Sequence, residues 1–140
     1  CAHSFRVGWG FSTASLGSMP IVTVELVVDP DHAPEPSLAQ SLANAIGHAL
    51  NSPLGQTWVR LHSLDCFAYA ENGSVVDVGE LPVFVTVAKR QATPSAELKA
   101  EIGLLTQTIA KVVGRPVSSV HIEYAPAAAG RLAFGGKLVE

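Results

Sequence analysis

Met19-Pro20-Ile21-Val22-Thr23-Val24-Glu25-Leu26 is the stretch on which the reading of this chain turns, because a shortened copy, Phe84-Val85-Thr86-Val87-Ala88-Lys89, returns in the second half. Both runs are β-branched and apolar, the composition of a buried strand. Pro20 opens the first of them, a position that tolerates a residue without an N–H.

Working outward, residues 29–36 (Asp-Pro-Asp-His-Ala-Pro-Glu-Pro) end the first strand, and residues 37–50 carry apolar side chains at 39, 42, 43, 46, 49 and 50, the spacing of one helical face. Asn51-Ser52-Pro53 stops that helix, residues 57–62 form a second β-type run, and residues 65–73 read as a loop with a short edge strand. The second half repeats this order. A strand over 82–89 is followed by Thr93 as N-cap and Pro94 at the first helical position. The helix, about 94–113, places Leu98, Ile102, Leu105, Ile109 and Val112 on one face, and Gly114-Arg115-Pro116 ends it. Residues 120–124 form the fourth main strand, and 130–138 a Gly-rich loop with a final short strand. Ile21 aligns with Phe84 and Pro53 with Pro116 at one constant separation; Ala68-Tyr69 pairs with Ala133-Phe134.

Two tandem β-α-β units with right-handed crossovers put both helices on one face of the sheet. The expected fold is α+β: a four-stranded mixed sheet, two helices on one side, and other copies of the chain covering the open side as an oligomer. The first repeat spans about 20–73 and the second about 82–138, within a domain of residues 19–140. Residues 1–18 show no steady period and are expected to be a leader or upstream readthrough outside the fold.

Composition agrees. With 48% hydrophobic and 15% charged residues, much of the polar surface a monomer needs is missing, which points to apolar faces buried between subunits. A net charge of -3 with scattered Lys and Arg argues against a nucleic-acid partner. Cys1 and Cys66 form no metal-type or redox-type spacing, and His32, His48 and His62 have no metal spacing, so no metal or cofactor is expected. No apolar run reaches membrane-spanning length and residues 1–18 do not resemble a secretory signal, so no membrane partner is expected and the location is read as cytoplasmic.

Met-Pro before Ile-Val-Thr-Val, the β-α-β duplication and the tail Phe134-Gly135-Gly136-Lys137 together resemble the tautomerase superfamily, over residues 19–140. The resemblance is to its long form, a fused pair of repeats that trimerises, as in macrophage migration inhibitory factor. The wording of each half is nearer to 4-oxalocrotonate tautomerase: Trp58-Val59-Arg60-Leu61 and Ser119-Val120-His121-Ile122 stand where that enzyme has Ser-Val-Arg-Val.

The chemistry expected at Pro20 is conditional on removal of Met19. A Pro nitrogen inside a chain is an amide; freed, it is a secondary amine, and burial favours its neutral, basic form. The resemblance implies a cofactor-free tautomerase or isomerase that moves a proton on a small unsaturated keto or enol acid, with Pro20 as general base. Phe67, Leu132 and Phe134 are the apolar residues expected near it. Arg90, with Lys89, closes the third strand where relatives hold a substrate carboxylate, and Arg60 occupies the carboxylate-binding position of the 4-oxalocrotonate type. His121 is the counterpart of Arg60 in the second half, Tyr69 and Phe134 are matched aromatic wall residues, and Glu123 shares a strand side with His121. Two departures matter: Ser52 stands in place of a Lys of the inhibitory factor, and the Asp that decarboxylases use near the second strand is replaced around Gln56, which counts against that reaction. Hydratase-type dehalogenation, decarboxylation and, if residues 1–18 stay attached, a non-catalytic trimeric binding module are the alternatives.

Overall fold

The computed structural model describes residues 19–140, and the expected leader, residues 1–18, lies outside them. β1 (Ile21–Val28) is the central pivot. Val22, Val24, Leu26 and Val28 are buried on one face, while Ile21, Thr23 and Glu25 are half-exposed on the other. The turn after it is built by Asp29, whose Oδ1 accepts the Asp31 N–H at 3.0 Å and whose carbonyl accepts the His32 N–H at 2.9 Å. α1 (Leu38–Ala49) then buries Leu42 and Ile46, and Asn51 ends it in the left-handed region (φ 52°), which Asn tolerates better than most residues.

β2 (Trp58–Asp65) runs parallel to β1, with Ile21 on Trp58 and Val28 on Asp65. β3 (Val83–Ala88) is antiparallel to β1, with Ile21 on Ala88 and Leu26 on Val83. α2 (Ser95–Val113) carries the chain to β4 (Val120–Tyr124), which is parallel to β3. The order β2-β1-β3-β4 is the expected mixed sheet: two parallel pairs joined at an antiparallel centre. Leu42 and Ile46 of α1 and Leu105 and Ile109 of α2 close over Val22, Val24, Val83, Val85 and Val87. Full burial of such side chains stabilises by about 1.5–3 kcal/mol each. Among the described residues, no helix covers the opposite face.

The tail is more ordered than a loop. β5 (Ala133–Phe134) and β6 (Lys137–Leu138) form a hairpin whose two central residues, Gly135 (φ 57°) and Gly136 (φ 87°), supply the positive φ pair that a tight hairpin turn requires. Two local expectations differ from the structure. Residues 65–73 contain no regular edge strand: the Asp65 carboxylate accepts the Phe67 N–H at 2.9 Å, curling the chain into a 3-10 turn (Cys66–Ala68), and pairing is limited to an isolated bridge between Glu71 and Ser74. Thr93 does not cap α2, which begins at Ser95 after Pro94 in extended backbone. Its hydroxyl is committed to Lys89 and Glu101, and bonds to charged groups outweigh a neutral cap.

Candidate functional site

The start of β1, the start of β2 and the end of β3 meet at one end of the sheet. Pro20 is fully buried there, and its carbonyl accepts the Trp58 N–H at 3.0 Å. Extending the antiparallel register beyond Ile21 and Ala88 sets Pro20 across from Lys89 after one residue and Met19 across from Arg90 after two. Met19 is 3% exposed with φ 43°. That conformation is rare for a residue other than glycine, is opposed further by the following Pro, and costs about 1–3 kcal/mol. Met19 thus fills space inside the fold immediately ahead of Pro20.

Trp58 stands across from Ile21 and stacks on Phe134 at 4.6 Å between ring centroids, which brings the C-terminal hairpin to the Pro20 end. Arg90 Nε donates to the main-chain oxygen of Glu140 at 2.7 Å, while the Lys89 and Arg90 carbonyls accept from Ala128 N and Ala129 N. The end of β3 is therefore stapled to residues 125–140 on both sides.

Lys89 points to the helix side. Its Nζ donates to Glu101 Oε1 at 2.8 Å and to Thr93 Oγ1 at 2.6 Å; Glu101 Oε2 accepts from Tyr124 OH at 2.6 Å and from Thr93 Oγ1 at 2.9 Å. Burial works to raise the Glu101 carboxyl, but the hydrogen bonds from Lys89, Tyr124 and Thr93 outweigh it and hold it below the usual carboxylate range. The Tyr124 phenol is pushed up by burial and by its bond to that carboxylate. A cavity of about 90 Å³ lies behind this network, between Lys89, Leu98, Tyr124 and Ala127.

The remaining sequence candidates lie along the open face. Arg60 is across from Thr23 and donates from Nη2 to its Oγ1 at 3.1 Å; Thr86 and then Glu123 continue the row. The next row is His62, Glu25, Phe84 and His121. The Phe84 ring lies 5.4 Å from His121 and 5.9 Å from Tyr69. The Tyr69 phenol also donates to Glu71 at 2.6 Å, which raises its pKa. Within one subunit the structure thus brings together Pro20, Lys89, Arg90 and Phe134, and separately sets Tyr69 and His121 each against Phe84. Phe67, 88% exposed, follows the far end of β2 and is not beside Pro20. Sequence reasoning passed over Trp58, Glu101 and Tyr124. Trp58 had a signal, its alignment on Ile21 in a parallel pair; the meeting of Glu101 with Tyr124 depends on helix placement that spacing does not give.

This is the fold of the tautomerase superfamily, whose members recur among solved structures similar to the chain. A wild-type fused 4-OT solved as an asymmetric trimer matches at TM-score 0.64 and 24% identity, over 83% of this chain and 94% of that one. Pt0534 inactivated by 2-oxo-3-pentynoate matches at TM-score 0.66 and 18% identity, over 85% and 94%. The macrophage migration inhibitory factor of Trichinella spiralis matches at TM-score 0.65 and 14% identity, over 84% and 98%. By sequence the chain matches no family model and no curated protein.

Proposed function

We propose that this chain is a cofactor-free tautomerase or isomerase acting on a small unsaturated keto or enol acid, with the freed nitrogen of Pro20 as general base. The observation that carries the reading is the burial of Pro20 at a strand start, in register with the basic end of β3. Burial disfavours the charged amine and so raises the share of neutral nitrogen able to take a proton next to a carbonyl. In this reading Met19 is an initiator, residues 1–18 are not part of the mature chain, and residues 19–140 are the domain. Loss of Met19 empties the buried space its side chain fills and opens the amine to substrate.

Arg90 is the proposed carboxylate clamp. Its Nε is held by Glu140, while its Nη groups make no hydrogen bond among the described residues, leaving the two-pronged edge for a substrate anion. Lys89 adds positive charge and, through Glu101, fixes the strand end; Phe134 on Trp58 forms an apolar wall. Arg60 lies three residues along the strands from Pro20, about 10 Å away. Arg60, His121, Glu123 and Tyr69 are therefore assigned to the site of a neighbouring copy in a cytoplasmic homotrimer, the assembly of the fused 4-OT relatives. Hydratase-type dehalogenation and decarboxylation would use the same parts.

One observation favours a second reading. Met19 sits as a buried plug, and if upstream residues remain attached, Pro20 has no basic nitrogen and the fold serves as a non-catalytic trimer. Phenylenolpyruvate or 2-hydroxymuconate turnover by protein beginning at Pro20, against protein keeping residues 1–19, decides between them. Turnover confined to the shorter form supports the enzyme; equal rates remove Pro20 as base. As a second check, 2-oxo-3-pentynoate, an electrophile conjugated to a keto acid, should add covalently to Pro20 of the shorter form, with the mass gain located by peptide mapping.

A further inference from the structure

Two consecutive residues just ahead of β2 carry buried oxygens with no hydrogen-bond partner among the described residues: Oε1 of Gln56 and Oγ1 of Thr57. Buried polar atoms are nearly always paired, so two orphans side by side call for a cause. Both stand at the Pro20 end. Trp58 is registered on Ile21 and bonded to the Pro20 carbonyl, so one step back sets Thr57 across from Pro20, and two steps set Gln56 across from Met19. Thr57 is on the helix side, where a Cβ on Gly47 would meet its Oγ1 at 3.0 Å. The Gln56 backbone is fixed on both sides, its N–H to the Pro53 carbonyl at 3.1 Å and its carbonyl to Ser52 Oγ at 2.9 Å. The orphan oxygens thus belong to a held segment. Beside them is a nitrogen that, as the amide of Met19–Pro20, has no hydrogen to give.

Hydrolysis of that amide changes the count of donors. Water adds across the bond, the Met19 carbonyl leaves as a carboxylate, and the Pro20 nitrogen takes up a proton; at neutral pH a second gives an ammonium with two N–H bonds. Departure of Met19, 3% exposed, also clears the space across from Gln56. We propose that Gln56 and Thr57 are positioning residues for the Pro20 amine: their buried oxygens accept the N–H bonds that removal of Met19 creates, and so aim the nitrogen. The proposal rests on the reading of Pro20 as the mature N-terminus. A carboxamide suits the task. It steadies the protonated amine against burial without the full charge of a carboxylate, which would hold the proton too firmly for a base. The cradle is unsatisfied before trimming and satisfied after it, so the junction itself favours the mature form.

The test compares Gln56→Leu in two chain lengths. The main buried cluster runs from Val22 to Val120, so a chain beginning at Pro20 keeps that cluster and loses only the buried Met19 side chain. In the full chain, Gln56→Leu removes an orphan acceptor, and the thermal midpoint should hold or rise. In the chain beginning at Pro20 it removes a partner of a cation, and the midpoint should fall by about 3–6 °C. A residue that merely packs would change both in the same direction, and that outcome overturns the proposal. Thr57→Val, nearly isosteric, should invert in the same way and serves if Gln56→Leu does not fold. Titration of the ¹⁵N-labelled Pro20 nitrogen in the shorter chain gives a second readout: the midpoint should drop by about one pH unit in Gln56→Leu and rise in Gln56→Glu. No movement in either variant also sinks the idea. Turnover without sign inversion would remove the cradle and leave Pro20 as base; inversion without turnover would do the reverse.

Discussion

At the scale of single residues, Arg90 and Lys89 show how neighbouring cations divide their work. Alternation turns Lys89 to the helix side, where Glu101 binds it, and leaves the Nη groups of Arg90 without a hydrogen bond among the described residues. Arg90→Ala should lower kcat/KM for carboxylate substrates about 30- to 150-fold, the worth of one bidentate charged contact, with the oligomer intact by light scattering. Unchanged kinetics would reject the clamp. Arg90→Lys should recover little, because an ammonium lacks the planar fork. The Glu101 network makes a separate prediction about pH. Glu101 is held below its ordinary 4.5, so its contribution is present above that value and lost as pH falls through the lower, folded value. Tyr124 is raised above its ordinary 10.0, so its contribution is present below that value and lost as pH rises beyond it. Tyr124→Phe should cost about 1 kcal/mol at neutral pH and flatten the alkaline fall in thermal midpoint. A fall as steep in Tyr124→Phe as in the parent chain would assign it to other groups. Pro20 and Arg90 were legible as site candidates because each flanks a strand end, and Phe134 because it matches Tyr69 in the repeat. Glu101 was not, since its importance comes from a meeting of α2 with β3 and β4.

At the scale of elements, the duplication made the fold readable. Equal spacing of strand, helix and helix-ending Pro fixed four strands and two helices, and the antiparallel pairing of β1 with β3 joins the two copies at the middle of the sheet. The misreadings were both places where a side chain bonded outside its local pattern: Asp65 curled an expected strand into a turn, and Thr93 left its helix for Glu101. Helix endings were better specified. Gly114, at φ 70°, terminates α2 in the left-handed region and sends its N–H to the Ala110 carbonyl. Beyond its own chain neighbours, no described atom lies within 4 Å of a Cβ placed there, so Gly114→Ala is penalised by backbone conformation. It should lower stability by about 1 kcal/mol in denaturant titration. A neutral result would show that the α2 end relaxes into a different cap.

At the scale of the whole molecule, the sheet has one finished face and one unfinished face. The helices cover Val22, Val24, Val83, Val85 and Val87, while the other face offers Ile21, Thr23, Phe84, Thr86 and His121 to whatever lies above it. Arg60 and Glu123 end the same row on opposite edges, three strand spacings or about 14 Å apart, too far to pair inside one subunit. A second copy laid on this face would remove the Phe84 ring, 37% exposed, from water. If the open face is where copies meet, Phe84→Asp places an uncompensated charge in the interface without touching the helix-side core. The subunit should keep its far-UV circular dichroism, and light scattering should report the mass of one chain where the proposed trimer reports three. Turnover by protein beginning at Pro20 should fall with the assembly, since the Arg60, His121 and Tyr69 assigned to a neighbour's site would be lost. A Phe84→Asp protein that keeps the parental mass at micromolar concentration would place the contact between copies elsewhere and return those three residues to the surface of a self-sufficient subunit.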